Sequence, residues 1–180
     1  MRLPSRFCAR RIVPPAAALL ASLVPALAAP VLSIDRAGSA RSYYVEFRAR
    51  YAGDVEHSVI VHGRLGPAGR PAERRFVSFL PLVDGWKGMV VPVPGAVYAS
   101  EEDVETPPNT IYRRSLTAAE YARVTTTVRR FKAREQLWHI VLFNCNELPI
   151  EVATALGLRH PPSLMPPHLW VDALRLLNEP

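Results

Sequence analysis

Trp138-His139-Ile140-Val141-Leu142-Phe143-Asn144-Cys145-Asn146-Glu147-Leu148 runs an apolar segment into a polar turn and then into a helix. The segment Leu137 to Phe143 is apolar at both parities, which predicts a strand buried on both faces, interior to a sheet. Gly157 is a natural residue just past the end of the following helix. Pro149 fixes where that helix begins. Proline is tolerated only in the first turn, where its missing N–H has no partner to lose. With Asn146 as N-cap, Pro149 falls at the third helical position, so Cys145 is expected just outside the helix, facing its free N–H groups.

A thiol in that place has a definite chemistry. Thiols attack as thiolates, and the partial positive charge at a helix start favours the thiolate. The same N–H groups can hold the oxyanion of a tetrahedral intermediate. Asn144 and Asn146 flank the sulfur and are the candidate oxyanion or capping groups. A cysteine nucleophile also needs a base, normally a histidine.

The first residues bear on where this chemistry takes place. Arg2, Arg6, Arg10 and Arg11 open the chain without an acidic residue, an apolar run extends from Ile12 to Leu27, and Ala26-Leu27-Ala28 has the small-residue cleavage pattern. Residues 1–28 are expected to be a signal peptide, which places the protein in the periplasm or outside the cell. Residues 29–41 read as a loose arm and 42–180 as one domain. Loss of residues 1–28 removes four arginines and no acid, so the formal charge falls from +6 to +2. With so small a charge and no aromatic-basic interleaving, nucleic acid is not an expected partner. No later stretch is long and apolar enough to span a membrane. A monomer is expected, with no cofactor and no metal; the acidic cluster Glu101, Glu102, Asp103, Glu105 matches no calcium loop and reads as a solvated loop. Of the two cysteines, Cys8 lies in the signal segment, which leaves Cys145 without an internal partner. A leftover thiol in an exported chain suggests reactivity or pairing with another molecule, against the alternative of a small buried hydrophobe.

Around the central stretch, Tyr43 to Tyr51 alternates as a half-buried strand, and Val55 to Leu65 follows a turn as its hairpin partner. A third strand fits Arg74 to Leu80, and Met89 to Val93 suggests a short one. Thr117 and Glu120 form a capping box that opens a helix bearing Tyr121, Val124, Val128 and Phe131 on one stripe. A last helix is expected from Pro167 to Leu177. Five histidines remain as candidate bases. His160 and His168 belong to a proline-rich, exposed segment, and His139 stands too far down the strand to reach the sulfur. His57 and His62 lie five residues apart on one strand and face opposite ways. His57, beside a turn, is the candidate base; His62 is expected on the outer face.

The pattern Val55-Glu56-His57-Ser58-Val59-Ile60-Val61 followed much later by Asn144-Cys145-Asn146 at a helix start resembles the circularly permuted NlpC/P60 papain-like superfamily, which includes the lecithin:retinol acyltransferase-like proteins. The resemblance spans roughly residues 43–158 and implies an α+β fold, a papain-like antiparallel sheet packed by helices. It implies a Cys145–His57 pair and a third polar residue on the next strand, where Ser78 stands, with Glu73 and Arg75 as weaker choices. The activity implied is a thiol hydrolase or acyltransferase on an amide or ester, with cell-wall peptide or a lipid-linked acyl group as substrate. The competing expectation is a non-catalytic exported domain that binds peptide or lipid.

Overall fold

The computed structural model describes residues 40–52, 55–83 and 85–179. The expected signal peptide and all but the end of the arm lie outside the described residues. Alternating apolar residues form the hairpin β1 (Tyr43–Ala52) and β2 (Val55–Arg64), paired from Tyr43↔Arg64 to Ala52↔Val55. Then come β3 (Arg75–Pro81), a one-turn helix α1 (Gly85–Gly88), β4 (Val93–Tyr98), the short helix α2 (Glu101–Glu105) and β5 (Thr110–Leu116). Helix α3 (Ala118–Lys132), β6 (Gln136–Trp138), α4 (Glu147–Ala155) and α5 (Pro167–Asn178) complete the order. The class is α+β: one six-stranded sheet in the order β5-β1-β2-β3-β4-β6, antiparallel throughout.

Helix boundaries follow local chemistry. Thr117 and Glu120 close the capping box of α3. Pro149 occupies the third position of α4, and the helix stops at Gly157, whose φ of 72° is one few side chains tolerate. There Leu158 N–H bonds Ala153 O and Gly157 N–H bonds Thr154 O, satisfying carbonyls that the helix leaves free. The helices α3, α4 and α5 cover one face of the sheet. Phe47, Ile60, Phe79, Leu148 and Trp170 meet there in the main core, each contributing about 1.5–3 kcal/mol by burial.

The structure corrects several expectations. The central strand does not run from Leu137 to Phe143. β6 has three residues and lies at the sheet edge, while β1 and β2 are interior. Beyond Trp138 the backbone closes a tight turn, with His139 N–H bonded to Phe143 O and Phe143 N–H to His139 O. His139 Nδ1 accepts from the N–H groups of Val141 and Leu142 inside it. An imidazole that satisfies the turn's own donors outcompetes strand pairing. The apolar tips Val141, Leu142 and Phe143 are consequently about half exposed, at 50%, 56% and 52%.

β1 buries both faces rather than one. Glu46, on the side expected to be solvated, is fully buried and held by Arg48 and Arg113, each at 2.5 Å. The strand placed near Met89 is in fact β4, beginning at Val93, and β5 follows a segment with no clear period. The acidic cluster is α2 rather than a solvated loop, and its Asp103 is buried.

Candidate active site

β2 pairs with β1 along its whole length but with β3 only from Ile60 to His62. Its first half therefore has an open edge. The start of α4 docks onto β2 here: Ser58 Oγ donates to Asn146 Oδ1 at 2.5 Å, and the Ser58 backbone N–H faces the Cys145 sulfur. A sulfur that meets a strand's backbone N–H lies at that strand's edge. The hydroxyl has a single proton and gives it to Asn146, so the backbone N–H is the donor left for sulfur.

Asn146 stands at the N-cap of α4, but its side chain makes no capping bond. Its amide donates to Ser163 O and Met165 O, both at 2.8 Å. The Asn144 amide donates to Ile140 O and Ser163 O, and its Oδ1 accepts from Asn146 N–H. Both carboxamides thus tie the cysteine turn to the proline-rich segment before α5, and their N–H protons are already used. That leaves backbone N–H groups near the sulfur, Cys145's own among them, as oxyanion donors.

Cys145 and His57 line one cavity of about 610 Å³, between the open half of β2, the ends of β3 and β4, and the helices α1 and α2. A smaller cavity of about 180 Å³ adjoins it at Cys145, Glu56 and Ile140 and is bounded further by Asn144 and Asn146. His57 is the register partner of Arg50 on β1, so the two share a face. Arg50 is buried and clamped to Asp103 Oδ1 through Nε (2.8 Å) and Nη2 (2.5 Å). Ser100 caps α2 by bonding Asp103 N–H, and Asp103 Oδ2 accepts from Ser100 N–H. Asp103 is thereby fixed behind His57. Ser78, the residue singled out on the next strand, is also buried there and stands close enough to lower the Asp103 pKa. Its Oγ nevertheless lacks the geometry of a hydrogen bond, as does His57 Nε2. Glu73 and Arg75 pair with each other at the far end of β3.

Electrostatics set the resting state. Burial pushes the Cys145 thiol up, against the Ser58 N–H that favours thiolate. Burial lowers His57 from 6.5 to about 4; Asp103 opposes that shift and Arg50 adds to it. For Asp103 burial raises the pKa, but bonds from Ser100 and Arg50 and the nearby His57 more than offset it, and it falls below 3.8. Near neutral pH the pair therefore rests as thiol and neutral imidazole, not as an ion pair. The activation expected from the helix start is outweighed by desolvation.

Two histidines depart from expectation. His62 does not lie on an outer face: it is buried against α3, with Nδ1 3.1 Å from the Tyr121 hydroxyl. His168 is half-buried and bonds Glu56 at 2.5 Å, while Asn109 holds the other carboxylate oxygen. Asp103 and Arg50 are the residues the sequence reasoning missed. Ser100-Glu101-Glu102-Asp103 is a capping-box pattern, and read as one it marks a helix start instead of a loop. Among the described residues, no three His, Cys, Asp or Glu side chains cluster as metal ligands, and no helix is long and apolar enough to cross a membrane.

No family model matches the chain, and neither the curated proteins nor the solved structures contain a match to it.

Proposed function

We propose that this is an exported thiol hydrolase or acyltransferase of permuted NlpC/P60 type, acting on an amide or ester. The observation that carries the reading is a thiol at a helix start and a buried imidazole lining the same cavity, with an Arg50-clamped carboxylate behind the imidazole. Sγ attacks the carbonyl carbon as its proton passes to His57, giving a tetrahedral oxyanion held by backbone N–H groups. The C–N or C–O bond then breaks, and His57 returns the proton to the departing amine or alcohol, leaving a thioester. Water, or an acceptor hydroxyl or amine, attacks that thioester and releases the acyl group, and the thiol is restored. Because the resting pair is neutral, proton transfer accompanies attack; no preformed thiolate is needed. Asp103 stabilises the imidazolium that forms in passing. The two cavities that meet at Cys145 give separate places for the acyl and leaving portions.

The second reading is a binding domain without catalysis, favoured by the raised thiol pKa. A p-nitrophenyl ester separates the two. The expected outcome is a burst of nitrophenol equal to one acyl group per chain, with the mass of the thioester mapped to Cys145 and no burst in Cys145→Ala. A folded protein that gives no burst and no adduct ends the catalytic reading.

A further inference from the structure

We propose that the cavity beside Cys145 takes a cationic ligand: an ester or amide whose acyl portion is apolar or aromatic and bears an ammonium group. The proposal rests on the thiol reading for the reaction, but not for binding. One wall of the cavity is apolar, built from Trp86 of α1 and Met89 just after it, with Trp138 and Ile140. The wall holds its shape because α1 and the β6 turn are joined: Ile140 N–H bonds Gly88 O, and the Trp138 ring presses so close to Gly88 that an added Cβ would lie 2.5 Å from it. The lining also carries Glu56, Glu101 and Glu102.

Charge decides between ligands. Arg50 is the one cation among the described lining residues, and its guanidinium is buried between Asp103, at 2.5 Å, and Glu102, at 3.4 Å, which together more than cancel it. His57 and Cys145 are neutral near pH 7. Glu56 stays ionised: burial raises its pKa, but bonds from His168 and Asn109 bring it below the ordinary value. Glu102 shares Arg50 with Asp103 and Glu56 is bonded by His168, while Glu101 has no partner among the described residues; four carboxylates against one guanidinium leave this largely apolar space with a negative field, which attracts a cation and repels an anion. The aromatic residues Trp86, Tyr98 and Trp138 in the lining suit the same ligand, since a cation is drawn to an indole or phenol ring. Trp86 already attracts one, Lys87, whose Nζ lies 5.8 Å from the ring centroid; Lys87 itself is outside the lining. A peptide rich in free carboxylates fits this cavity poorly.

Two measurements on the full chain test the proposal. The first is the rate of disulfide formation at Cys145, followed by peptide mass, with 2-(trimethylammonio)ethyl and with 2-sulfonatoethyl methanethiosulfonate. Each rate is divided by that for the denatured chain. At low salt the cation is expected to be favoured by about tenfold or more, and Glu101→Gln with Glu102→Gln to shrink that preference at least threefold. A ratio of one, or a preference for the anion, overturns the proposal. The second is equilibrium binding of benzyltrimethylammonium and of phenylacetate, read by tryptophan fluorescence. Binding of the first and not the second supports the proposal even where Cys145 resists labelling, and that resistance counts against the thiol reading alone. Equal or tighter binding of phenylacetate overturns the proposal whatever the thiol does.

Discussion

His57 and His62 lie on the same strand, five residues apart, and both are buried with pKa values lowered to about 4, chiefly by burial. Their surroundings differ. At His62 the sheet is closed, β3 pairs alongside, and the ring is tied to Tyr121 on α3. At His57 the ladder to β3 has ended, Nε2 has no partner among the described residues, and the ring borders a cavity shared with a thiol. A perturbed pKa does not separate a structural histidine from a functional one. The separation comes from whether the ring's hydrogen-bonding capacity is already used, and that depends on how far two strands stay paired.

The largest expected effect follows from that contrast. In the burst assay, His57→Gln should slow acylation by about 10²- to 10⁴-fold, the usual worth of a positioned base. His62→Gln should leave the rate within about threefold and lose stability instead, about 1–3 kcal/mol by urea unfolding, because the Tyr121 hydroxyl is left without its partner. Comparable losses of rate at both positions would erase the distinction between the two ends of β2.

The same contrast explains what could be seen in the sequence. The β1–β2 hairpin, the start of α3, the Pro149-limited start of α4 and its stop at Gly157 were legible because each depends on local chemistry: alternation, a capping box, proline's missing N–H, glycine's freedom. So was the place of Cys145. The path of residues 139–143 was hidden, since an apolar run looks alike in a buried strand and an exposed turn, and only the bonds to His139 Nδ1 decide. Asp103 was hidden by its neighbours: Glu101 and Glu102 are exposed, and the buried member of the cluster is identified only by Arg50, 53 residues away. Arg50 in turn looked solvated because β1 alternates, although both of its faces are covered.

A smaller effect tests whether both imidazoles are buried neutral. Their folded pKa values lie below the ordinary 6.5, so as pH falls the unfolded chain takes up protons first. Stability is therefore undiminished by these groups above about pH 6.5 and declines between 6.5 and 4, by up to about 3 kcal/mol for each histidine. Urea unfolding at pH 7 and pH 4.5 should show this loss, and His57→Gln and His62→Gln should each remove about half of it. A variant with the wild-type pH dependence would show that its histidine is already accessible to protons in the folded state.

The smallest expected effect concerns which group stands behind His57. Ser78 Oγ makes no well-formed hydrogen bond among the described residues and only assists a carboxylate that Ser100 and Arg50 already hold, so with Ser78→Ala stability should change by less than about 1 kcal/mol in either direction. Asp103 is different: it is charged, clamped by Arg50 and Ser100, and acts directly on His57. With the carboxylate in charge of the imidazole, Ser78→Ala should keep acylation within about threefold of wild type, far less than a general base is worth, and leave its acid-side pH dependence unmoved. A loss beyond tenfold, with the acid limb displaced, would transfer the orienting role from Asp103 to the hydroxyl on β3. The open end of β2 would then hold a relay through Ser78 in place of a carboxylate acting on the ring.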